Sequence, residues 1–257
     1  MELVNYTIEN RVAYISLNRP EKRNALNPDL VGSLIAAFSN AIGDEAVKVI
    51  VLGAHGDVFS AGADLAYLQQ LQENSYEENI ADSSTLKNLF YLIYTSPKAV
   101  IGQIEGHAIA GGCGLVSVCD IVFSVPEAKF GYTEVKIGFI PALVACFLVR
   151  KTGEARTREL LLSGALIDAE AASAYGLINF IRASDDIREG VKAYAEKIVE
   201  ETSGESVALT KQLLNMAQNK TLEESLEEAV KANATARASA DCKRGISAFL
   251  NKEKINW

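Results

Sequence analysis

Residues 99–125 of the chain read AVIGQIEGHAIAGGCGLVSVCDIVFSV, and this stretch decides the class of fold. Ala99–Ile104 is a short apolar segment typical of a buried strand, and residues 121–125 form another. Between them, glycines lead into a segment typical of a helix. A buried strand, a helix and a second buried strand in succession predict a mostly parallel sheet with helical crossovers.

The alternation of strands and helices extends toward the N-terminus. Residues 4–8 and Val12–Leu17 alternate between apolar and polar positions, which predicts a β-hairpin. Asn27 followed by Pro28 predicts a helix start, because the asparagine side chain can cap free N–H groups and proline suits the first helical position. Residues 47–52 then predict another short strand, so the first half of the chain has an α/β pattern.

The pattern becomes almost entirely helical after about residue 140. Residues 177–181 predict one short strand, and helices are predicted over residues 142–149, 156–162, 169–175, 187–201, 206–217 and 222–238. We therefore divide the chain into an α/β core over residues 1–195 and a helical C-terminal region over residues 196–257. The helical region has little apolar surface in each helix, so we expect it to pack on the core or on another subunit.

Composition excludes several classes of partner. The 257 residues carry a formal net charge of −8 without a block of Lys and Arg, which argues against nucleic acid as the main partner. Two apolar stretches, residues 108–125 and 135–149, contain Asp120, glycines and Pro141, which favours a buried core over a membrane span. We expect neither a nucleic acid nor a membrane as partner.

The cysteines and the N-terminal residues predict a cytoplasmic protein. The four cysteines form no CxxC pair and no cluster with histidine, so we expect reduced thiols and no metal site. The N-terminus leads directly into strand pattern, with no visible signal peptide.

Two glycine-containing turns carry features of an anion site. Residues 59–65 (FSAGADL) follow a strand, and residues 106–114 (GHAIAGGCG) follow another strand and open a helix. Small residues there would let a ligand approach free backbone N–H groups. Considered singly, the first segment is more simply explained as an ordinary turn, and the second as close packing of a helix on a sheet.

A third segment, residues 130–138 (FGYTEVKIG), places Glu134 among aromatic and aliphatic neighbours. A carboxyl in such surroundings is desolvated, which raises its pKa toward the range of a useful proton carrier, although a solvated surface glutamate is the simpler alternative. Backbone donors from two turns and one apolar carboxyl together are suited to stabilising an enolate while a proton moves at the neighbouring carbon.

These motifs resemble the enoyl-CoA hydratase/isomerase family, the crotonases. The resemblance covers nearly the whole chain in order, through SLNRP (16–20), NAL (24–26), AGAD (61–64), GG (111–112), CDI (119–121), residues 130–138, GLI (176–178) and the tail at 249–254. It implies an α/β fold in which repeated ββα turns form a spiral, with C-terminal helices that assemble trimers or dimers of trimers. Residues 134–142 also resemble a bacterial branch assigned to methylglutaconyl-type enoyl-CoA hydration.

The resemblance implies roles for individual residues. The N–H groups of Ala63 and Gly111 would hold the thioester oxygen, and Glu134 would carry the proton. An acyl-CoA thioester would be the substrate, with no cofactor beyond the coenzyme A that it contains. The substrate and coenzyme A would be bound by Lys22, Arg23, Asn24, Ala25, Leu26, Ala61, Asp64, Leu65, Gly114 and Tyr132, and by Phe249 and Lys252 from a neighbouring subunit.

One departure from the family pattern leaves the reaction open. Typical hydratases of the family carry two catalytic glutamates, and Gly114 stands at the position of the first. The resemblance is compatible with a hydratase that converts 2-enoyl-CoA to 3-hydroxyacyl-CoA, and with an isomerase that uses Glu134 alone. A protein that binds coenzyme A without turnover is the third possibility, although a desolvated acid would have no use in it.

Overall fold

A computed structural model describes residues 2–257 as two β-sheets covered by helices. The strands are β1 (Val4–Glu9), β2 (Val12–Leu17), β3 (Val49–Ala54), β4 (Val58–Ser60), β5 (Ala99–Ile104), β6 (His107–Ile109), β7 (Ile121–Ser124), β8 (Lys129–Gly131), β9 (Leu166–Asp168) and β10 (Phe180–Ile181). The helices are α1 (Pro28–Gly43), α2 (Leu65–Leu71), α3 (Tyr76–Thr95), α4 (Gly111–Val118), α5 (Ala142–Ser163), α6 (Ala169–Ala174), α7 (Ile187–Glu201), α8 (Gly204–Ala217), α9 (Leu222–Ala238) and α10 (Ala240–Asn251).

The chain alternates between the two sheets as it advances. The larger sheet has the order β1-β2-β3-β5-β7-β10 and the smaller has the order β4-β6-β8-β9. Apart from the β1–β2 hairpin and the β8–β9 pair, all neighbouring strands are parallel. Each of the pairs β3–β4, β5–β6 and β7–β8 adds one strand to each sheet before a helix follows. The expected spiral of ββα turns is thus confirmed.

The N-terminal helix follows the rules that predict it. The Asn27 side chain accepts a hydrogen bond from the Leu30 N–H at 3.0 Å, and Pro28 is the first helical residue. Leu30, Leu34 and Phe38, spaced four residues apart, are fully buried. They lie in the continuous apolar core, which also contains the central strands of the larger sheet.

The C-terminal half is helical as expected, with differences in detail. Gly153, inside α5, has a non-helical φ of 74° and ψ of 168°, so α5 consists of two helical segments, as the pattern predicts. Helix α10 was not predicted. Residue 195 lies inside α7, and the division of the chain at that residue stays a prediction. No helix within residues 2–257 is long and apolar enough to cross a bilayer.

Candidate active site

The three segments singled out in the sequence meet at one edge of the smaller sheet. Strands β4, β6 and β8 are parallel neighbours in that order, and they end at Ser60, Ile109 and Gly131. Residues 61–64, 110–114 and 132–134 follow directly after these ends. Because the carboxyl ends of parallel strands lie at a common edge, the two small-residue turns and Glu134 are brought together there.

Backbone hydrogen bonds hold the first turn against the loop that precedes α1. The Leu26 N–H donates to the Gly62 carbonyl at 2.7 Å, and the Asp64 N–H donates to the Leu26 carbonyl at 2.9 Å. These two hydrogen bonds form a parallel bridge between Leu26 and Ala63, in which the N–H of Ala63 takes no part. The predicted donor is therefore directed away from the loop and left free for a ligand.

The two turns interlock because both contain glycine. A Cβ added at Gly62 would lie 2.8 Å from the Ala110 Cβ and 3.6 Å from the Gly111 nitrogen. A Cβ added at Gly112 would lie 2.6 Å from the Ser60 Cβ. Such distances leave no room for larger side chains, so the glycines allow the two donor-bearing turns to touch.

Two free N–H groups result from this arrangement. Within residues 2–257, neither the Ala63 N–H nor the Gly111 N–H donates to a protein acceptor. Gly111 is the first residue of α4, where helical N–H groups lack an intrahelical partner and the helix dipole is positive. Their use as donors to a thioester oxygen stays a prediction.

Glu134 begins a 3-10 turn that spans Glu134–Ile137. Its Oε2 atom is shielded from solvent and has no hydrogen-bond partner among the described residues. Burial raises the pKa of this carboxyl above its ordinary value of 4.5. The predicted desolvation is thus confirmed, and the use of this carboxyl as a proton carrier stays a prediction.

The space where a side chain at residue 114 would project is filled with apolar groups. A Cβ added at Gly114 would lie 2.5 Å from Val144 Cγ1, 2.9 Å from Phe90 Cζ and 3.3 Å from Phe90 Cε2. Phe90 and Val144 are buried, on α3 and α5. The position therefore lacks a carboxyl and also the room for one.

Tyr132 and Asn24 use their side chains internally. Tyr132 is fully buried, and its hydroxyl donates to the Cys113 carbonyl at 3.3 Å, which ties the segment before Glu134 to α4. Asn24 is also fully buried, where its amide donates to the carbonyls of His55 and Val58 at 2.9 and 2.8 Å. Both hold neighbouring loops in place in this structure, and direct contact with substrate stays a prediction for each.

The remaining predicted binding residues surround the same turns or lie far along the chain. Ala61 and Asp64 are half-buried in the first turn, and Leu65 at the start of α2 is 81% exposed. Lys22 and Arg23 are exposed, whereas Ala25 and Leu26 are buried. Phe249 is 83% exposed on α10, and Lys252 directly follows the last residue of that helix. These assignments stay predictions.

Several residues that shape the site were not predicted. Arg19 forms a 2.6 Å ion pair with Asp64, and this contact lowers the pKa of that carboxyl. Phe90 and Val144 fill the space beside Gly114, and Ala110 lies against Gly62. Each acts through a contact between residues distant in the sequence, so no local pattern indicates it.

Cys113 lies in α4 between Gly112 and Gly114. The pKa of Cys113 is raised to about 12, mainly because the residue is buried, so its thiol is neutral near pH 7. No group of three potential metal ligands is found within residues 2–257.

Comparisons with known proteins agree with this geometry. A sequence profile of the family "Enoyl-CoA hydratase/isomerase" matches residues 7–257. A Thermus thermophilus protein provisionally named an enoyl-CoA hydratase is 44% identical over 94% of this chain and 95% of its own. The crotonyl-CoA hydratase of Syntrophomonas wolfei is 31% identical over 97% of this chain and 95% of its own. The crystal structure of an enoyl-CoA hydratase from Mycobacterium smegmatis superposes with a TM-score of 0.94, at 29% identity, over 100% of this chain and 99% of that chain.

Proposed function

The chain belongs to the enoyl-CoA hydratase/isomerase family, and we propose that it adds water across the double bond of a 2-enoyl-CoA thioester. The product is a 3-hydroxyacyl-CoA. The observation that carries the proposal is the shielded Oε2 of Glu134, which lacks a partner within residues 2–257. A buried polar atom without a partner is costly to stability, so its presence at the same sheet edge as two free N–H groups favours a functional role.

The two free N–H groups stabilise the charge that develops on the thioester. When water adds to C3, the electron pair of the double bond moves toward C2 and the carbonyl oxygen, which becomes an enolate. Donation from Ala63 and Gly111 lowers the energy of that oxyanion more than that of the neutral carbonyl. Each donor contributes on the order of 3 kcal/mol to the stabilisation of the transition state.

Glu134 supplies the proton in this scheme. The neutral carboxyl donates its proton to C2 while the water oxygen bonds to C3. The excess proton on that oxygen then passes to the carboxylate and restores neutral Glu134. The raised pKa of Glu134 favours the neutral form that begins the cycle. The reaction balances with water and the thioester alone, and we expect no cofactor beyond the coenzyme A portion of the substrate.

A double-bond isomerase is the alternative, and the filling of the space beside Gly114 favours it. Val144 and Phe90 occupy the space that a first glutamate would need. With one carboxyl, Glu134 can remove a proton from C2 of a 3-enoyl thioester and return it to C4. We rank hydration first because the similar proteins include ones named as hydratases, among them a 2,3-dehydroadipyl-CoA hydratase of Escherichia coli at 31% identity.

The substrate and assembly form the finer part of the proposal. We propose short acyl chains, including branched ones of the methylglutaconyl type, and binding of the coenzyme A phosphates by Lys22 and Arg23. We also propose a cytoplasmic trimer or dimer of trimers that acts in fatty acid metabolism. Exposed apolar residues on α8–α10 support self-association, namely Leu214, Leu222, Leu226, Val230, Ile246, Phe249 and Leu250.

The test uses crotonyl-CoA, 3-methylglutaconyl-CoA and a 3-enoyl-CoA with the wild type and Glu134→Gln. Hydration is supported if the wild type removes the 2-enoyl absorbance and Glu134→Gln does not. We expect the substitution to lower kcat by about 10²–10⁴-fold. Glu154→Gln is the matched control, since the Glu154 side chain is 71% exposed on α5, and it should leave turnover unchanged.

The other outcomes separate the alternatives. If only the 3-enoyl substrate is converted, the protein is an isomerase and the hydratase proposal is wrong. Binding of coenzyme A without any Glu134-dependent turnover would contradict both enzymatic proposals and leave a binding protein.

A further inference from the structure

We infer that Ala110 is a positioning residue that directs the Gly111 N–H and fixes its spacing from Ala63. The inference deepens the proposed function and rests on it. Ala110 immediately precedes α4, so its ψ angle sets the plane of the peptide that carries the Gly111 N–H. Its own methyl group faces the other donor-bearing turn.

The backbone of Ala110 is in a conformation that favours glycine. Its φ of 51° and ψ of −125° lie outside the regions open to residues with a Cβ. By contrast, Arg23 and Lys252, which also have positive φ, lie in the ordinary left-handed helical region. Strained conformations of this kind persist only where surrounding contacts enforce them, and they concentrate at functional sites.

The contacts that enforce this conformation explain the turn. The Ala110 N–H donates to the Gly131 carbonyl at 2.8 Å, which continues the pairing of β6 with β8. The Ala110 carbonyl accepts from the Gly114 N–H at 3.0 Å, which begins α4. The chain must change from strand to helix within one residue. Because a trans peptide directs its N–H opposite to its carbonyl, the Gly111 N–H is directed outward from the start of the helix.

The methyl group of Ala110 has a separate role at the Gly62 contact. An added Cβ at Gly62 would lie 2.8 Å from the Ala110 Cβ and 3.0 Å from the Ile109 carbonyl oxygen. The Ala110 methyl therefore packs on the bare face of Gly62, the residue before Ala63. It keeps the two turns at a set separation, and glycine at residue 110 would lose both this spacer and the restriction on ψ.

The test compares Ala110→Gly with the conservative Ala110→Ser, which retains the Cβ. The probe is butyryl-CoA labelled with carbon-13 at the thioester carbonyl, a saturated ligand whose stretching frequency falls when the oxygen accepts hydrogen bonds. Ala110→Gly should show a smaller fall than the wild type, with Kd within about threefold and kcat about 10- to 100-fold lower. Its Tm should not fall, because glycine relieves the strain. Ala110→Ser should match the wild type.

The outcomes distinguish this inference from the function on which it rests. An unshifted carbonyl in the wild type would contradict the proposed oxyanion site itself. If the carbonyl frequency falls in the wild type and falls equally in Ala110→Gly, with kcat unchanged, only the role of Ala110 is overturned. A lower Tm in Ala110→Gly with an unchanged carbonyl frequency would show that Ala110 is a packing residue, and would also overturn the inference.

Discussion

Adding one methyl group at Gly114 tests whether the apolar groups beside that position are rigid. The new Cβ would lie 2.5 Å from Val144 Cγ1 and 2.9 Å from Phe90 Cζ. Ordinary contacts between carbon atoms are about 3.5–4.0 Å, so Val144 would have to move by about 1 Å. Both neighbours are buried, Val144 with 4% and Phe90 with 0% exposure, so neither can move into solvent.

The expected effect of Gly114→Ala is the difference between two terms. Overpacking a well-filled core costs about 1–3 kcal/mol, and the two short contacts favour the upper part of that range. Replacing glycine inside a helix contributes about 1 kcal/mol in the opposite direction. The net expectation is a loss of about 1–2 kcal/mol in unfolding free energy, which corresponds to a Tm about 2–8 °C lower.

Urea unfolding with a matched control isolates the packing term. Gly32→Ala, on α1, also adds a methyl group inside a helix, but nothing lies within 4 Å of the added Cβ. We expect that variant to be as stable as the wild type or more so. Val144→Ala removes the closest contact, so Gly114→Ala should cost about 1 kcal/mol less in that background than alone.

Gly114→Glu extends the same test to the chemistry. We expect this variant to be less stable than Gly114→Ala and to gain no hydratase activity, since the carboxyl cannot enter the filled space and would be desolvated there. The reasoning is refuted if Gly114→Ala changes stability no differently from Gly32→Ala, or if Gly114→Glu folds normally and hydrates crotonyl-CoA faster.

Three further predictions concern residues around the turns. Arg19→Met should lower the unfolding free energy at pH 7 by about 1–3 kcal/mol. Because Arg19 lowers the pKa of Asp64, the ion pair contributes to the unfolding free energy at pH values above the ordinary Asp64 pKa of 3.8. This contribution is lost as the pH falls through the lowered pKa, and urea titrations at several pH values can follow the loss. Asn24→Ala leaves buried partners unsatisfied and should cost at least about 2 kcal/mol, with weaker coenzyme A binding by calorimetry. Burial raises the pKa of Glu134, so wild-type stability should fall as pH rises from the ordinary value of 4.5 through the raised one. Glu134→Gln should lack this fall in the same titrations and be more stable than the wild type above that range, and equal stability at all pH values would contradict the assigned burial.

Long periodic segments account for most of the fold that could be predicted from the sequence. Helices α7 (Ile187–Glu201) and α9 (Leu222–Ala238) have the predicted bounds, because many residues contribute to each pattern. The three-residue strands β4, β6 and β8 were missed. A segment of that length contains too few residues for its periodicity to differ from a turn, and its pairing depends on strands far away in the chain.

The site follows the same division between local and distant information. The small-residue turns and the apolar surroundings of Glu134 are local features, and each is visible in a stretch of nine residues or fewer. The ion pair between Arg19 and Asp64 joins residues 45 positions apart. Likewise, Phe90 and Val144 approach Gly114 from two different helices, so their contact with it depends on the packing of the whole core.

Glycines in and next to α4 allow close packing at two places, and each has a consequence for the site. The absence of side chains at Gly62 and Gly112 lets β4 and the turn after it come within contact distance of the start of α4, where the second free N–H group lies. The absence of a side chain at Gly114 lets Phe90 and Val144 close over the same helix one turn later. A carboxyl at residue 114 would have to displace these buried side chains, so acquiring it requires compensating changes on α3 and α5. In the hydration that we propose, Glu134 therefore both releases a proton to the substrate and recovers one from water.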